Sequence, residues 1–220
     1  MTPRPPDAAR RERLRRRERA LRRRGLSRIA GVDEVGVGAL AGPLVGAAVM
    51  LPRAARLPGV DDSKRMTPAL RQHWARVIRE RCIAWAVIEV GAVEVDEIGP
   101  YRASLLAKRS AVLALDPTAE YVLVDAHRLP ALGLPQEPTI GADGRHLCVA
   151  AASVLAKVHR DALMVALDRR FPSYGFAQHK GYGTAAHLAA LARYGPCPEH
   201  RRRYAPVREA LGRAPTLFDD

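Results

Sequence analysis

Residues 29–51 read IAGVDEVGVGALAGPLVGAAVML. An apolar run leads to two adjacent acids, Asp33 and Glu34, and a second apolar run extends from Leu44 to Leu51. The glycines between the runs permit a bend and a close approach by another molecule's backbone. This pattern predicts strand, charged turn and strand. Successive strand residues point to opposite faces, so we expect the two acids to share a ligand only where the strand ends and bends. A hairpin with a solvated acidic tip is the alternative.

The composition favours a globular domain. With 220 residues, 48% of them hydrophobic, the chain can bury a substantial core. No apolar run approaches the ~20 residues of a membrane helix, and no signal-peptide core follows the N-terminal arginines. We therefore expect a cytoplasmic protein without membrane contact. The three cysteines, an odd number without paired spacing, predict reduced thiols, two of them in core-like surroundings, rather than disulfides or a zinc ribbon.

Positive charge is concentrated at the N-terminus. Residues 1–28 hold 12 arginines against 3 acids, which accounts for +9 of the formal charge of +13. A helix here would carry Leu14 and Leu21 on one side, but so thin an apolar stripe favours a frayed helix or disordered arm. Such an arm would bind phosphates without reading sequence. A solvated extension with no specific role is the alternative.

Two further acids follow the same logic as the first pair. The apolar run from Tyr121 to Val124 predicts a buried strand that ends in Asp125, and Asp143 lies in a turn just before a helix predicted over 147–170. The carboxyl ends of sheet strands are where sites gather in α/β proteins. As a simple charge near a helix N-terminus, Asp143 would contribute only ~0.3 to 1 kcal/mol.

Four clustered carboxylates imply a bound metal or raised pKa values. An all-oxygen ligand set indicates Mg²⁺ or Mn²⁺, because Zn²⁺ would normally recruit the histidines or cysteines available elsewhere. A cage for two such ions together with a basic arm suggests phosphodiester hydrolysis. Ser63 and Lys64, in a loop before a helix whose N-cap is predicted at Thr67, can hold a phosphate, and so can Lys180 in a glycine-rich loop.

Five blocks in this order resemble the ribonuclease HII family over roughly residues 27–210. They are GVDEVGVGALAGPLVGAAV at 31–49, DSK at 62–64, VLVD at 122–125, AAASVLAKVHRDALM at 150–164 and HKGYGTAAHL at 179–188. The resemblance implies a ribonuclease H-like α/β fold, a mixed five-stranded sheet flanked by helices with a small helical C-terminal part. We expect an arm at 1–27, a catalytic domain at 28–211 and a flexible tail at 212–220.

The resemblance also implies roles for particular residues. Asp33, Glu34, Asp125 and Asp143 match the family's four metal-binding acids. The expected reaction cuts the RNA strand of RNA/DNA hybrids and nicks duplex DNA 5′ of an embedded ribonucleotide, leaving 3′-hydroxyl and 5′-phosphate ends.

Substrate recognition is where the chain departs from the family. The turn formed by Gly36, Val37 and Gly38 matches the family's G-R-G reader of the 2′-hydroxyl, and Tyr182 matches a tyrosine that stacks on the sugar. Val37 replaces the usual arginine. Ala126 stands where glycine is usual, and Gly141 where lysine is common.

Two other readings are open. One is a different nuclease of the same fold, such as a type 3 ribonuclease H or a junction resolvase; type 3 enzymes carry an additional N-terminal domain, whereas an arginine-rich segment precedes Ile29 here. The other is a nucleic-acid-binding module that does not cleave. We expect a monomer, and the terminal Leu217-Phe218 pair resembles peptides that dock on sliding clamps.

Overall fold

A computed structural model describes residues 8–212. Its centre is a single five-stranded sheet with the order β3-β2-β1-β4-β5. The strands are β1 (Ile29–Val35), β2 (Leu44–Met50), β3 (Ala84–Val90), β4 (Tyr121–Asp125) and β5 (Gln136–Thr139). Strand β1 is antiparallel to β2 and parallel to β4, and β4 is parallel to β5. The expected mixed five-stranded sheet is therefore confirmed.

Both acids of the opening stretch lie within β1 rather than in the bend after it. Asp33 pairs with Ala47 of β2, and Glu34 pairs with Gly46. The predicted turn therefore begins after Val35 rather than at Asp33, because the ladder continues past both acids. That they share a ligand near the end of the strand stays a prediction. Their side chains leave opposite faces of a strand that is about to end.

Eight α-helices accompany the sheet in the described part of the chain. They are α1 (Ala8–Arg23), α2 (Pro68–Arg81), α3 (Ala92–Ile98), α4 (Pro100–Leu113), α5 (Leu147–Arg170), α6 (Phe176–His179), α7 (Ala185–Tyr194) and α8 (Ala205–Gly212). The predicted cap of α2 is confirmed, since the Thr67 hydroxyl accepts a hydrogen bond from the Leu70 amide at 3.3 Å. The predicted bounds of α5 are also confirmed.

Helix α1 corrects the expectation of a frayed or disordered arm. Leu14 and Leu21 are buried on one face, as the spacing predicted. Between them, the buried Glu18 carboxylate accepts a hydrogen bond at 2.9 Å from the amide of Cys148, in the first turn of α5. A carboxylate satisfies the unpaired amides of a helix N-terminus. The helix is thus attached by a polar contact that its thin apolar stripe does not reveal.

The described chain divides into two compact units. The first contains residues 8–35, 45–89 and 104–159, and the second contains 36–44, 90–103 and 160–212. In the first, α5 packs directly on β1, because a Cβ at Gly31 would overlap the backbone of Cys148 and Val149. In the second, Met164, Phe176 and their neighbours form a separate apolar cluster.

The predictions on cysteines and membrane helices can be compared with the described residues. All three cysteines are free thiols, and Cys148 and Cys197 are buried, as expected. Among residues 8–212 no helix has the length and apolar character needed to cross a bilayer. The proposed domain boundaries stay predictions, and most of the tail, from residue 213 onward, lies outside the described residues.

Candidate active site

The first unit brings the four predicted acids into one electrostatic cluster. Each aspartate is held by a backbone amide. Asp33 accepts a hydrogen bond from the amide of Glu34 at 2.7 Å, and Asp125 accepts one from Ala142 at 2.7 Å. Asp143 accepts one from the amide of the residue after it at 2.9 Å. Strand β4 and the turn before α5 therefore fix one another at this edge of the sheet.

Burial and mutual repulsion raise the pKa values in this cluster. The pKa of Asp33 lies well above its ordinary range, first because the carboxyl is buried and then because Glu34, Asp125 and Asp143 are close. A hydrogen bond from Ser153 opposes this rise. Burial likewise raises the pKa of Asp143. The cluster holds more negative charge than its surroundings can stabilise, which favours cation binding.

A fully buried cation, Lys108 of α4, lies inside the acid cluster. Its Nζ is 2.8 Å from Oε2 of Glu34 and donates a hydrogen bond at 3.0 Å to the carbonyl of Asp125. The side chain has no solvent exposure. Helix α4 packs closely on the sheet at this point, since a Cβ on Gly46 would come within 2.6 Å of the backbone of Ala107. Gly46 pairs with Glu34 in the sheet, and Ala107 precedes Lys108, so this close packing brings Lys108 to Glu34.

The donor set suits a divalent cation, although its ligands are not assembled in advance. Within residues 8–212 no three acidic, histidine or cysteine side chains form a ready metal site. The aspartates are turned towards backbone amides. Oε2 of Glu34 is buried and faces Lys108 at ion-pair distance without the geometry of a hydrogen bond. That oxygen therefore keeps lone pairs for a hard cation, and binding would draw the carboxylates away from their present partners.

Lys64 and Ser63 differ from each other in position. Lys64 is exposed. Partial desolvation of its ammonium lowers its pKa, but Asp143 and the other nearby acids raise it by more, so the pKa of Lys64 is raised. It is thus a charged ammonium beside the cluster. Ser63 is only 5% exposed and its Oγ lies 2.9 Å from Oγ of Ser153. The Ser63 hydroxyl is thus turned towards the residue that bonds to Asp33, and its contact with a phosphate stays a prediction.

The turn at Gly36–Gly38 belongs to the second unit and rests on a buried arginine. Arg201 donates to the carbonyls of Gly36 at 2.7 Å, Val37 at 3.0 Å and Gly42 at 2.8 Å. It has no solvent exposure, and burial lowers its pKa. At Gly38 an added Cβ would meet no atom of residues 8–212 within 4 Å. Arg201 therefore holds the carbonyl side of the turn, and the side of Gly38 that would carry a Cβ is open to an approaching ligand.

A second buried arginine, Arg160, organises the glycine-rich loop. It donates to the carbonyls of Pro43 and Lys180, both at 2.9 Å, and its guanidinium lies 5.3 Å from the centre of the Tyr182 ring. Burial lowers its pKa to about 10, which leaves it charged at neutral pH. The Lys180 ammonium donates to the Ala177 carbonyl, so a phosphate would have to draw it away from its own helix.

Three histidines of the second unit lie against one another. His187 stacks on His179 with ring centres 4.3 Å apart, and its Nε2 lies 3.0 Å from Nε2 of His200. Burial, followed by the neighbouring His187, lowers the pKa of His200 to about 4. Burial also lowers the pKa of His187, so His187 and His200 are neutral groups of the core.

Comparison with known proteins agrees with this geometry. The family model for "Ribonuclease HII" matches residues 30–207. A ribonuclease HII from Geobacillus thermodenitrificans is 54% identical over 201 residues, covering 91% of this chain and 77% of the relative. The chain belongs to the ribonuclease HII family. Membership makes it a divalent-metal-dependent ribonuclease H, an endonuclease, rather than a type 3 enzyme or a resolvase.

Solved structures support the ribonuclease HII fold. A ribonuclease H2 from Pyrococcus horikoshii has a TM-score of 0.74 and 26% identity, covering 84% of this chain and 98% of its own. The ribonuclease HII of Archaeoglobus fulgidus, solved as a complex with PCNA, has a TM-score of 0.72 and 28% identity. It covers 87% of this chain and 100% of the archaeal one.

Proposed function

We propose that this protein hydrolyses the RNA strand of RNA/DNA hybrids and nicks duplex DNA 5′ of embedded ribonucleotides, leaving 3′-hydroxyl and 5′-phosphate ends. The observation that carries the proposal is the electrostatic cluster of Asp33, Glu34, Asp125 and Asp143 in a chain of this family. These carboxylates would hold two Mg²⁺ or Mn²⁺ ions. When bound, such ions activate the attacking water and stabilise the departing 3′ oxygen.

The chain's own residues prepare this site. Ser153 and the amide of Glu34 orient Asp33. Lys108 neutralises part of the acid cluster and restrains Glu34. Lys64 offers an exposed ammonium to the phosphates of the substrate strand.

We assign ribonucleotide selection to the turn at Gly36–Gly38 and to Tyr182. The absence of a side chain at Gly38 suits close approach by a ribose. Arg160 fixes the Tyr182 ring for stacking on a sugar. Val37 lacks the family's positive charge, so affinity should suffer more than selectivity. Lys180 would contribute a phosphate contact.

The deciding experiment uses a DNA duplex with one ribonucleotide, incubated with Mg²⁺ or Mn²⁺, beside an all-DNA duplex. The wild type should cut only the first, 5′ of the ribonucleotide. Asp125→Asn should bind but not cut, because it loses a metal ligand without losing its acceptor for the Ala142 amide. Binding without cutting by the wild type would favour a non-cleaving module, and equal cutting of both duplexes would refute the assigned selectivity.

Remaining proposals concern partners. The archaeal neighbour was solved with PCNA, a sliding clamp, and the Leu217-Phe218 pair of this chain, outside the described residues, would fill the apolar pocket of a bacterial clamp. Clamp capture should be lost in Leu217→Ala/Phe218→Ala; unchanged capture would dispose of the contact. We also propose that the protein acts as a cytoplasmic monomer, which sedimentation and cell fractionation would test.

A further inference from the structure

A basic cleft of about 730 Å³ lies in the first unit, next in sequence to Asp143. Its walls come from α1, from β5 and from the segment between Asp143 and α5. The charged and titratable residues that line it are Arg13, Arg16, Arg17, Glu137, Arg145 and His146. None of these residues takes part in the reaction assigned above.

The cleft has an excess of positive charge. Arg17 is committed to Glu137, which it contacts through Nε at 2.8 Å. Arg13, Arg16 and Arg145 have no carboxylate partner in the part of the chain that the structure describes, so three positive charges are left uncompensated. Arg13 and Arg16 lie three residues apart on one face of α1, a spacing at which two side chains can contact the same ligand.

The wall contains a buried polar group that lacks a partner. His146 is only 7% exposed, and neither ring nitrogen has a hydrogen-bond partner within residues 8–212. An unsatisfied buried polar group costs roughly 1–3 kcal/mol. Burial lowers the pKa of this histidine, so the ring is neutral at physiological pH and has one N–H to donate. Both nitrogens are themselves covered, so an oxygen ligand in the cleft would satisfy the ring by turning it towards the cleft.

We propose that this cleft binds the phosphodiester backbone of the substrate strand that flanks the cleavage site. Guanidinium groups match phosphate oxygens in geometry as well as charge, and backbone contacts of this kind fix register without reading sequence. The inference rests on the proposed function for its ligand. It makes α1 part of the substrate surface, with its contribution confined to one face of the helix.

The test compares two double variants of the full chain that lose equal charge. Arg13→Gln/Arg16→Gln removes the free cations of the α1 wall. Arg23→Gln/Arg24→Gln changes exposed arginines at the end of the same helix, outside the cleft. Binding to a duplex with one ribonucleotide is measured without divalent metal between about 50 and 200 mM salt. The cleft variant should bind roughly tenfold to a hundredfold more weakly, with a salt slope lower by about 1.8, because each of the two arginine–phosphate pairs contributes about 0.9.

Three outcomes decide the matter. The control should show less than half of these changes, and shortening the duplex on one flank, not the other, should abolish the difference between the variants. The NMR signal of the His146 ring, assigned with His146→Gln, should move when the duplex is added. Equal binding by both variants would overturn the proposal, and so would a His146 signal that does not move when the duplex is added. A His146 signal that moves with inorganic phosphate but not with the duplex would also overturn it. Cleavage by the wild type tests the proposed function separately, because its outcome does not depend on how strongly either variant binds the duplex.

Discussion

Replacing Lys108 by methionine should make the protein dependent on metal for its stability. Methionine fills a similar volume but leaves Glu34, only 15% exposed, without its counter-ion at 2.8 Å. Removing one partner of a buried pair costs about 3–5 kcal/mol. Since Glu34 retains some solvent, we expect the lower end, about 3 kcal/mol, or a fall in Tm of roughly 6–12 °C in chelator. A divalent cation would supply the missing positive charge, so Mg²⁺ or Mn²⁺ should raise Tm more in this variant than in the wild type.

Thermal unfolding with and without metal measures both effects, and isothermal titration gives the metal affinity directly. Glu34→Gln/Lys108→Met serves as the control, because it removes both charges and should recover much of the lost stability. The reasoning fails if Lys108→Met unfolds at the wild-type temperature in chelator. It also fails if metal stabilises the variant and the wild type equally, since Lys108 would then have no electrostatic role in the acid cluster.

Five further substitutions test other parts of the structure. Ala126→Gly should raise the free energy of unfolding by about 0.5–1 kcal/mol in chemical denaturation, because Ala126 has a φ of 61°. Asp33→Asn should raise Tm in chelator at neutral pH: the folded-state pKa of Asp33 is raised, so its stabilising contribution is present at low pH and lost as pH rises through that pKa. A steeper fall of Tm with pH in the variant would contradict this. Gly38→Ala should keep the wild-type Tm and lose ribonucleotide selectivity, whereas Gly36→Ala should destabilise the fold, because its Cβ would overlap Arg160 and its φ is +95°. Leu21→Ala should cost about 3 kcal/mol, and an unchanged Tm would return α1 to the status of a passive arm.

The sequence alone predicts which carboxylates cluster, but it does not predict the buried cation, Lys108, that lies among them. Asp125 was identifiable because an apolar strand ends in it, and Asp143 because it precedes a helix start. Lys108 was not, because lysines are almost never fully buried unless paired. A signal existed in hindsight: Ser104 and Lys108 share a helix face with the buried Ala111.

The remaining errors have the same origin in long-range contacts. Arg160 and Arg201 are fully buried, and their guanidinium groups donate to the carbonyls of Ala41 and Gly42, which are distant in sequence. The thin apolar stripe of α1 predicted a frayed arm, whereas the Glu18 carboxylate attaches the helix to Cys148. Local periodicity cannot report a partner 130 residues away.

The contact between Gly31 and the first turn of α5 sets a mechanical limit. Strand and helix backbones meet there with no side chain between them, so α5 cannot be pressed closer to the sheet, and only a larger residue at position 31 could move it, outward. The spacing between the carboxylates of β1 and the turn before α5 is therefore fixed on its inner side by main-chain contact. Directed evolution of this site towards smaller cations would have to lengthen side chains, whereas selection for larger ones could work through position 31 alone.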